Sequence, residues 1–83
     1  MKYFVYVLSS LKTNKSYVGS TDNLDRRLKE HNSGKTYFTK QHIPWKIMYT
    51  ESFNSLFEAR TREKYLKSAS GRRLVLKKLF ENI

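Results

Sequence analysis

Lys2-Tyr3-Phe4-Val5-Tyr6-Val7-Leu8, a turn over Ser9 to Lys15, and Ser16-Tyr17-Val18-Gly19 decide the fold. The first run is apolar and aromatic with no alternation, as expected of a strand buried on both faces. Asn14-Lys15 marks the tip of the turn, so the second run returns beside the first as an antiparallel hairpin with a loop longer than two residues. The apolar run is too short for a signal peptide or a membrane span, and a cytoplasmic protein is expected.

Beyond the hairpin, Ser20-Thr21-Asp22 has the oxygen-bearing side chains of a helix start. Leu24, Leu28 and His31 follow at helical spacing, and Asn32-Ser33-Gly34 ends the helix, with Gly34 available for a left-handed cap. Residues 35–44 are polar and read as a mobile stretch closed by Ile43-Pro44. Trp45 to Phe53 predicts a third strand, with Trp45, Ile47, Tyr49 and Glu51 on one face and Lys46, Met48 and Thr50 on the other. Ser55-Leu56-Phe57-Glu58 is a capping box that starts a helix running to about Ser68, where Ser70-Gly71 breaks it. A last helix is expected from about Arg72 to Phe80, with Val75, Leu76, Leu79 and Phe80 as its apolar stripe. The order ββαβαα predicts an α+β domain, a three-stranded antiparallel sheet flanked by helices.

Eighty-three residues make one domain near the small end of what folds unaided. The absence of cysteine excludes disulfides and thiolate metal sites, and two histidines are too few for a structural zinc. Seventeen Lys and Arg against seven Asp and Glu give a formal charge of +10, which favours polyanions, nucleic acid ahead of an anionic membrane. The C-terminal part is especially basic: Arg60, Arg62, Lys64, Lys67, Arg72, Arg73, Lys77 and Lys78 face only Glu63 and Glu81.

Glu63 is the most telling residue by pattern. At about 100° per residue, Leu56, Ala59 and Leu66 form the buried stripe of their helix, and Glu63 falls in its middle. A carboxylate there needs a partner, either a basic side chain or a divalent cation, and a lone carboxylate suits Mg²⁺, which keeps most of its waters. Arg27 and His31 share a helix face, whereas Arg26 points away toward solvent or a nucleic-acid backbone. Arg27 offers a planar fork for a phosphate; His31 is either a site residue or a histidine interacting with the helix end. Tyr6 and Tyr17 pair across the hairpin, with Gly19 allowing a ligand to approach the backbone closely. A tyrosine hydroxyl there could serve as base or proton relay. Tyr3, Tyr49 and Tyr65 are assigned to packing.

Taken in order, these residues resemble the GIY-YIG nuclease superfamily. The likeness is to its small stand-alone bacterial branch, which is similar to the nuclease domain of a bacterial excision-repair protein. Phe4-Val5-Tyr6 stands for Gly-Ile-Tyr, Tyr17-Val18-Gly19 for Tyr-Ile-Gly, and Asn23-Leu24, Arg27-Leu28, Glu30-His31 and Gly34 for the first helix. Thr39-Lys40, Pro44-Trp45 and Tyr49-Thr50-Glu51 match the middle segment, and Ala59, Glu63 and Lys67 the metal helix. The pattern departs at Phe4, which replaces a glycine, and between Ser68 and Lys78, where a supporting Asn is missing and Asn82 comes late.

The resemblance covers residues 1–83 and implies a single nuclease domain that hydrolyses DNA with one Mg²⁺ or Mn²⁺ ion. It implies Tyr6, Tyr17, Arg27, His31 and Glu63 as the catalytic set, with Tyr6 as base or relay, Arg27 on the phosphate and Glu63 on the metal. Gly19, Arg26, Lys40, Lys67, Arg72, Arg73 and Lys77 are the candidates for holding nucleic acid, DNA with RNA as the alternative. Selectivity for DNA structure, in repair or recombination, is the expectation. A weak homodimer or a partner repair protein would serve double-strand cutting, and no membrane role is expected. The rival reading is a non-catalytic nucleic-acid-binding module that keeps the nuclease fold.

Overall fold

The computed structural model describes the backbone of residues 1–81 and the side chains of 1–77. Three strands, β1 (Tyr3–Ser10), β2 (Ser16–Thr21) and β3 (Trp45–Phe53), form an antiparallel sheet in the order β2-β1-β3. Helix α1 (Leu24–Asn32) covers one face; α2 (Leu56–Lys67) and α3 (Ala69–Glu81) cover the other. This is the expected α+β order, with one short 3-10 turn, Thr39–His42, added before β3.

The central strand separates two cores. Val5 and Val7 pack with Val18, Ala59, Leu66 and Val75 on the α2–α3 side. Tyr6 and Leu8 pack with Trp45 on the α1 side, joined by Leu24 and Leu28. These four β1 residues are at most 2 % exposed, so the absence of alternation in the sequence reflects burial on both faces. β2 is an edge strand, and both layers can reach around it.

Several boundaries differ from expectation for identifiable reasons. Ser20-Thr21 belongs to β2, and the N-cap of α1 is Asn23, whose side chain accepts from Arg26 N. The Thr21 hydroxyl instead accepts from Asn23 N and donates to Asn23 O, which turns the chain from strand into helix. Gly34 does take a positive φ, 86°, just past the helix end.

In β3 the expected alternation fails at Met48. A register shift opposite Val7 and Leu8 pairs Leu8 with Ile47 and Val7 with Tyr49. Trp45 and Ile47 therefore join the α1 core, while Tyr49 joins the α2–α3 core. A strict period of two puts them on one face; the extra residue moves half of the strand to the other.

The break between α2 and α3 is at Ser68, not at Ser70-Gly71. Ser68 has extended geometry, and its hydroxyl accepts from Gly71 N as the cap of α3. Gly71 lies inside α3, where a Cβ would stand 2.0 Å from the Tyr65 carbonyl oxygen, so glycine is what lets the two helices turn so tightly. The buried stripe of α3 includes Val75, with Leu74 partly buried, while Leu76 is 51 % exposed. The side chains of Lys78, Leu79 and Phe80, and Asn82, lie outside the described residues. On α2, Ala59 and Leu66 are buried but Leu56 is nearly half exposed, as is Tyr65, which is expected to pack but lies beneath the Arg62 guanidinium.

Residues 35–44, expected to be a mobile stretch, are tied down from three directions. Asn32 on α1 exchanges two hydrogen bonds with the Trp45 backbone, accepting at 2.7 Å and donating at 3.1 Å. The Trp45 indole donates to Thr39 O at 2.8 Å, and the Ser10 hydroxyl donates to His42 O at 2.7 Å. Polar composition here reflects local hydrogen bonding to neighbouring elements.

Candidate functional site

Tyr6, Tyr17, Arg27 and His31 come together on the α1 side of the β1–β2 pair, and Glu63 reaches β2 from the opposite face. Directly paired residues of an antiparallel sheet share a face, so Tyr6, opposite Gly19, and Leu8, opposite Tyr17, place both tyrosine rings on the α1 side. Their ring centroids lie 6.4 Å apart, and His31 comes within 4.8 Å of Tyr17. Ser20, opposite Val5, faces the other layer and meets Glu63 from α2.

On the α1 side the polar atoms form one buried chain. The Thr39 hydroxyl donates to Thr36 O at 3.4 Å, which leaves its oxygen to accept from His31 Nδ1–H at 2.9 Å. With the proton on Nδ1, His31 Nε2 is an acceptor, and the Tyr6 hydroxyl donates to it at 3.0 Å. His31 and Thr39 have no exposed surface and Tyr6 has almost none. Burial and the positive charge of Arg27 depress the His31 pKa to about 4, against a smaller opposing pull from Glu30, so the ring is neutral at pH 7. Burial likewise pushes the Tyr6 hydroxyl up to about 12, even though the neighbouring Arg27 guanidinium pulls it down. A histidine stabilised by the helix end as a cation, the alternative reading, does not describe this neutral, twice hydrogen-bonded ring.

Gly19 has a different role from the one expected. Its missing Cβ leaves room for the Tyr6 side chain, whose hydroxyl oxygen would lie 2.4 Å from a Cβ at that position. The glycine is buried beneath Tyr6, so close backbone approach is made by a side chain of the site.

Arg27 is held by Glu30, which accepts from Nη1 at 2.9 Å, and its side chain remains 30 % exposed. One arm of the fork is thus fixed by Glu30 beside Tyr6, and the side chain keeps some exposed surface, a disposition suited to an incoming oxyanion. Arg26 points elsewhere, paired to Asp22 at 2.7 Å and more loosely to Glu30. Lys40 lies over the Tyr37 ring, and Arg72, Arg73 and Lys77 are exposed on α3.

On the α2 side, Glu63 is partly buried and carries two donors. The Ser20 hydroxyl donates to Oε1 at 2.6 Å and Lys67 Nζ to Oε2 at 2.8 Å. Burial raises the Glu63 pKa, but these two hydrogen bonds and the charges of Lys67 and Arg60 outweigh it and hold the carboxyl below its usual range. The carboxylate is therefore ionised at neutral pH, with a cation already beside it. Lys67 is also 5.7 Å from the Tyr17 ring centroid, so its ammonium links the two sides of the strand edge.

Among the described residues, no three His, Cys, Asp or Glu side chains gather into a metal-binding group. The fit to a single hard cation rests on Glu63 alone. Its oxygens are the donor type that suits Mg²⁺ or Mn²⁺, and both already accept hydrogen bonds, Oε1 from Ser20 and Oε2 from the half-exposed Lys67 ammonium. The sequence places Ser20 in a helix start and Thr39 in the middle segment, but gives neither a contact with a site residue. A hydroxyl after the Tyr-Val-Gly run and a threonine eight residues past His31 carry no periodic signal; only the folded chain brings them to their partners.

Comparison with known proteins identifies the family of the domain. The model of the GIY-YIG catalytic domain matches residues 2–78. A UPF0213 protein of Bacillus licheniformis is 39% identical over 69 residues, covering 82% of this chain and 70% of the relative. One from Staphylococcus haemolyticus is 39% identical over 70 residues, covering 83% of this chain and 84% of the relative. The solution NMR structure of the UPF0213 protein from Bacillus halodurans is similar over 93% of this chain and 84% of that one, with a TM-score of 0.55 and 31% identity. Among the described residues, no helix is long and apolar enough to cross a membrane.

Proposed function

The chain belongs to the GIY-YIG catalytic-domain family, and from that premise we propose that it is a metal-dependent endonuclease hydrolysing phosphodiester bonds in DNA. The observation that carries this reading is the convergence at one strand edge of a neutral Tyr6–His31 relay, a partly exposed Arg27 and an ionised Glu63.

In this reading the Arg27 guanidinium binds the scissile phosphate and stabilises charge developing on its oxygens. A water attacks phosphorus and loses a proton, the P–O ester bond breaks, and the departing oxygen takes a proton from solvent to leave as the strand's free hydroxyl. Tyr6, with its pKa near 12, does not wait as a phenolate. Its oxygen accepts the proton from water while its own proton passes to His31 Nε2. A phosphate docked on Arg27 offsets the positive charge that helps depress the His31 pKa, and so strengthens this base when substrate arrives. Thr39, bound to His31 Nδ1, keeps the receiving nitrogen unprotonated. Tyr17 screens the relay at its more exposed side and sets the wall against which the substrate rests. A single divalent ion held by Glu63 would supply Lewis-acid stabilisation of the leaving oxygen.

The test is cleavage of a panel of linear, flapped and branched DNA in Mg²⁺ by the wild type, Glu63→Ala and Arg27→Ala proteins. Cutting by the wild type that falls in both variants is expected. Absence of wild-type cutting, or equal cutting by all three proteins, overturns the proposal and returns the chain to a nucleic-acid-binding module.

A further inference from the structure

Beside Tyr17 opens a groove of about 590 Å³, between the β1–β2 turn and the α2–α3 corner. Its volume falls within the roughly 300–1,000 Å³ occupied by small-molecule sites. The floor is apolar, made by Val18, Leu66 and Val75. The rim carries three cations, Lys15, Lys67 and Arg72, and no carboxylate lines it among the described residues. Phe38, 44 % exposed, closes one end, its ring 6.1 Å from that of Tyr17 and tilted by 30°.

We propose that this groove binds unpaired nucleotides, so that the substrate of the site is nucleic acid with a single-stranded segment next to the scissile phosphate. The inference rests on the endonuclease reading for its link to the reaction and adds the substrate class. An unstacked base has apolar faces and is flanked by phosphates, which matches an apolar floor under a cationic rim. In a duplex those base faces are already covered by their neighbours, and the base cannot enter a groove without leaving the stack. Phe38 and Tyr17 supply the aromatic surfaces on which a base stacks. Lys15 and Arg72 stand where phosphates on either side of it would pass.

Continuity with the reacting centre selects nucleic acid over an acidic peptide. Tyr17 and Lys67 belong to both the groove and the candidate site, so the groove is continuous with the site at those two residues, where a nucleic-acid strand can run from one to the other. Phe38 is held in place from behind by the 3-10 turn that also supplies Thr39, so the base platform and the His31 support share one anchored segment.

The experiment is fluorescence anisotropy on the full chain in EDTA, where metal-dependent cutting is suppressed, with a labelled oligothymidylate and a duplex of the same length. The single strand should bind more tightly. Phe38→Ala should weaken its binding by roughly five- to a hundredfold, the range for losing one base stack, with duplex binding little changed. Phe38→Leu, which keeps apolar bulk without a ring face, should show most of the same loss. Lys15→Ala should lower the slope of log affinity against log salt by about 0.7 for the single strand. A circular dichroism melt checks that each variant is folded; Phe38 is exposed enough that both substitutions should be.

Equal affinity for single strand and duplex, or undiminished single-strand binding by folded Phe38→Ala protein, overturns the proposal. So does preferential binding of an acidic peptide that excludes the oligonucleotide. The two readings fail separately. Phe38-dependent binding of oligothymidylate without any cutting in Mg²⁺ leaves the groove standing and removes the nuclease. Cutting of fully paired DNA that Phe38→Ala leaves intact does the reverse.

Discussion

On the α1 side of the β2 edge, Tyr6, His31 and Thr39 are buried, neutral and joined in a chain of hydrogen bonds; on the α2 side, Glu63 and Lys67 keep their charges and stand partly in water. The two sides are separated only by the thickness of an edge strand. The contrast shows a division of labour in the proposed reaction. A proton is moved reliably where no water competes for it, and the tautomer is set by a fixed partner. A cation and a phosphate must exchange with solvent, so their ligands have to be partly exposed and only loosely occupied. Substitutions on the two sides should therefore separate activity from stability.

Glu63→Gln tests the open side and has the largest expected effect. It removes the negative charge while keeping the shape, so cleavage should fall by at least about a hundredfold, comparable to losing one transition-state electrostatic contact. Stability should change by no more than about 1 kcal/mol, because Lys67 is half in water and glutamine keeps an oxygen for the Ser20 hydroxyl to donate to. Tyr6→Phe tests the closed side. It leaves His31 Nε2 buried without its donor, which should cost about 1–3 kcal/mol and lower Tm by roughly 4–24 °C. Cleavage should also fall, by about a hundredfold for a lost proton relay. Melting curves run beside cleavage assays check both. Equal destabilisation by the two substitutions would erase the distinction between the sides.

Acid should act first on the closed side. His31 has a folded pKa near 4 against about 6.5 for an unperturbed histidine, so the unfolded chain binds the extra proton first as pH falls. The stability that a neutral His31 contributes is full above about pH 6.5 and is lost progressively down to about pH 4, a difference on the order of 2–3 kcal/mol. The Glu63 carboxyl, also depressed, adds loss in the same direction at lower pH, once the unfolded chain begins to protonate its carboxyls. Urea denaturation at pH 7, 5.5 and 4 should trace this slope, and His31→Gln should flatten it. An unchanged slope in that variant would show that His31 is not the group responsible.

The two sides also differ in how far they can be read before the chain folds. The hairpin, the three helices and their order are legible because apolar runs, a capping box and helical spacing are local signals. Glu63 stands out because it interrupts an apolar stripe, and Arg27 and His31 because they are four residues apart. The edges of elements are less legible where tertiary contacts decide them. Ser20-Thr21 has the chemistry of a cap but is paired with Phe4 and Val5, and the shift at Met48 is invisible to a period of two. The hydrogen bonds of Thr39 to His31 and of Ser20 to Glu63 are not legible, since the partners lie 8 and 43 residues away in the chain. Gly19 misleads for the same reason: what presses against it is Tyr6, from the neighbouring strand.

The smallest expected effect sharpens the contrast most. Lys67→Met keeps the length and apolar stem of the side chain and removes only the ammonium from Glu63 Oε2. The pair is partly exposed, so folding should change by no more than about 1 kcal/mol. If the ammonium occupies the position that a divalent ion takes in the active protein, the ion no longer has to displace it. The Mg²⁺ concentration giving half-maximal cleavage should then fall, by at most about fivefold, the factor that corresponds to 1 kcal/mol. Affinity for DNA should move the opposite way, because Lys67 also faces the groove, and its salt dependence should become shallower. A Mg²⁺ titration at saturating DNA separates the two effects. A rise in the Mg²⁺ requirement would mean that Lys67 orients Glu63 for the ion and does not compete with it, and the open side would then be as preorganised as the buried one.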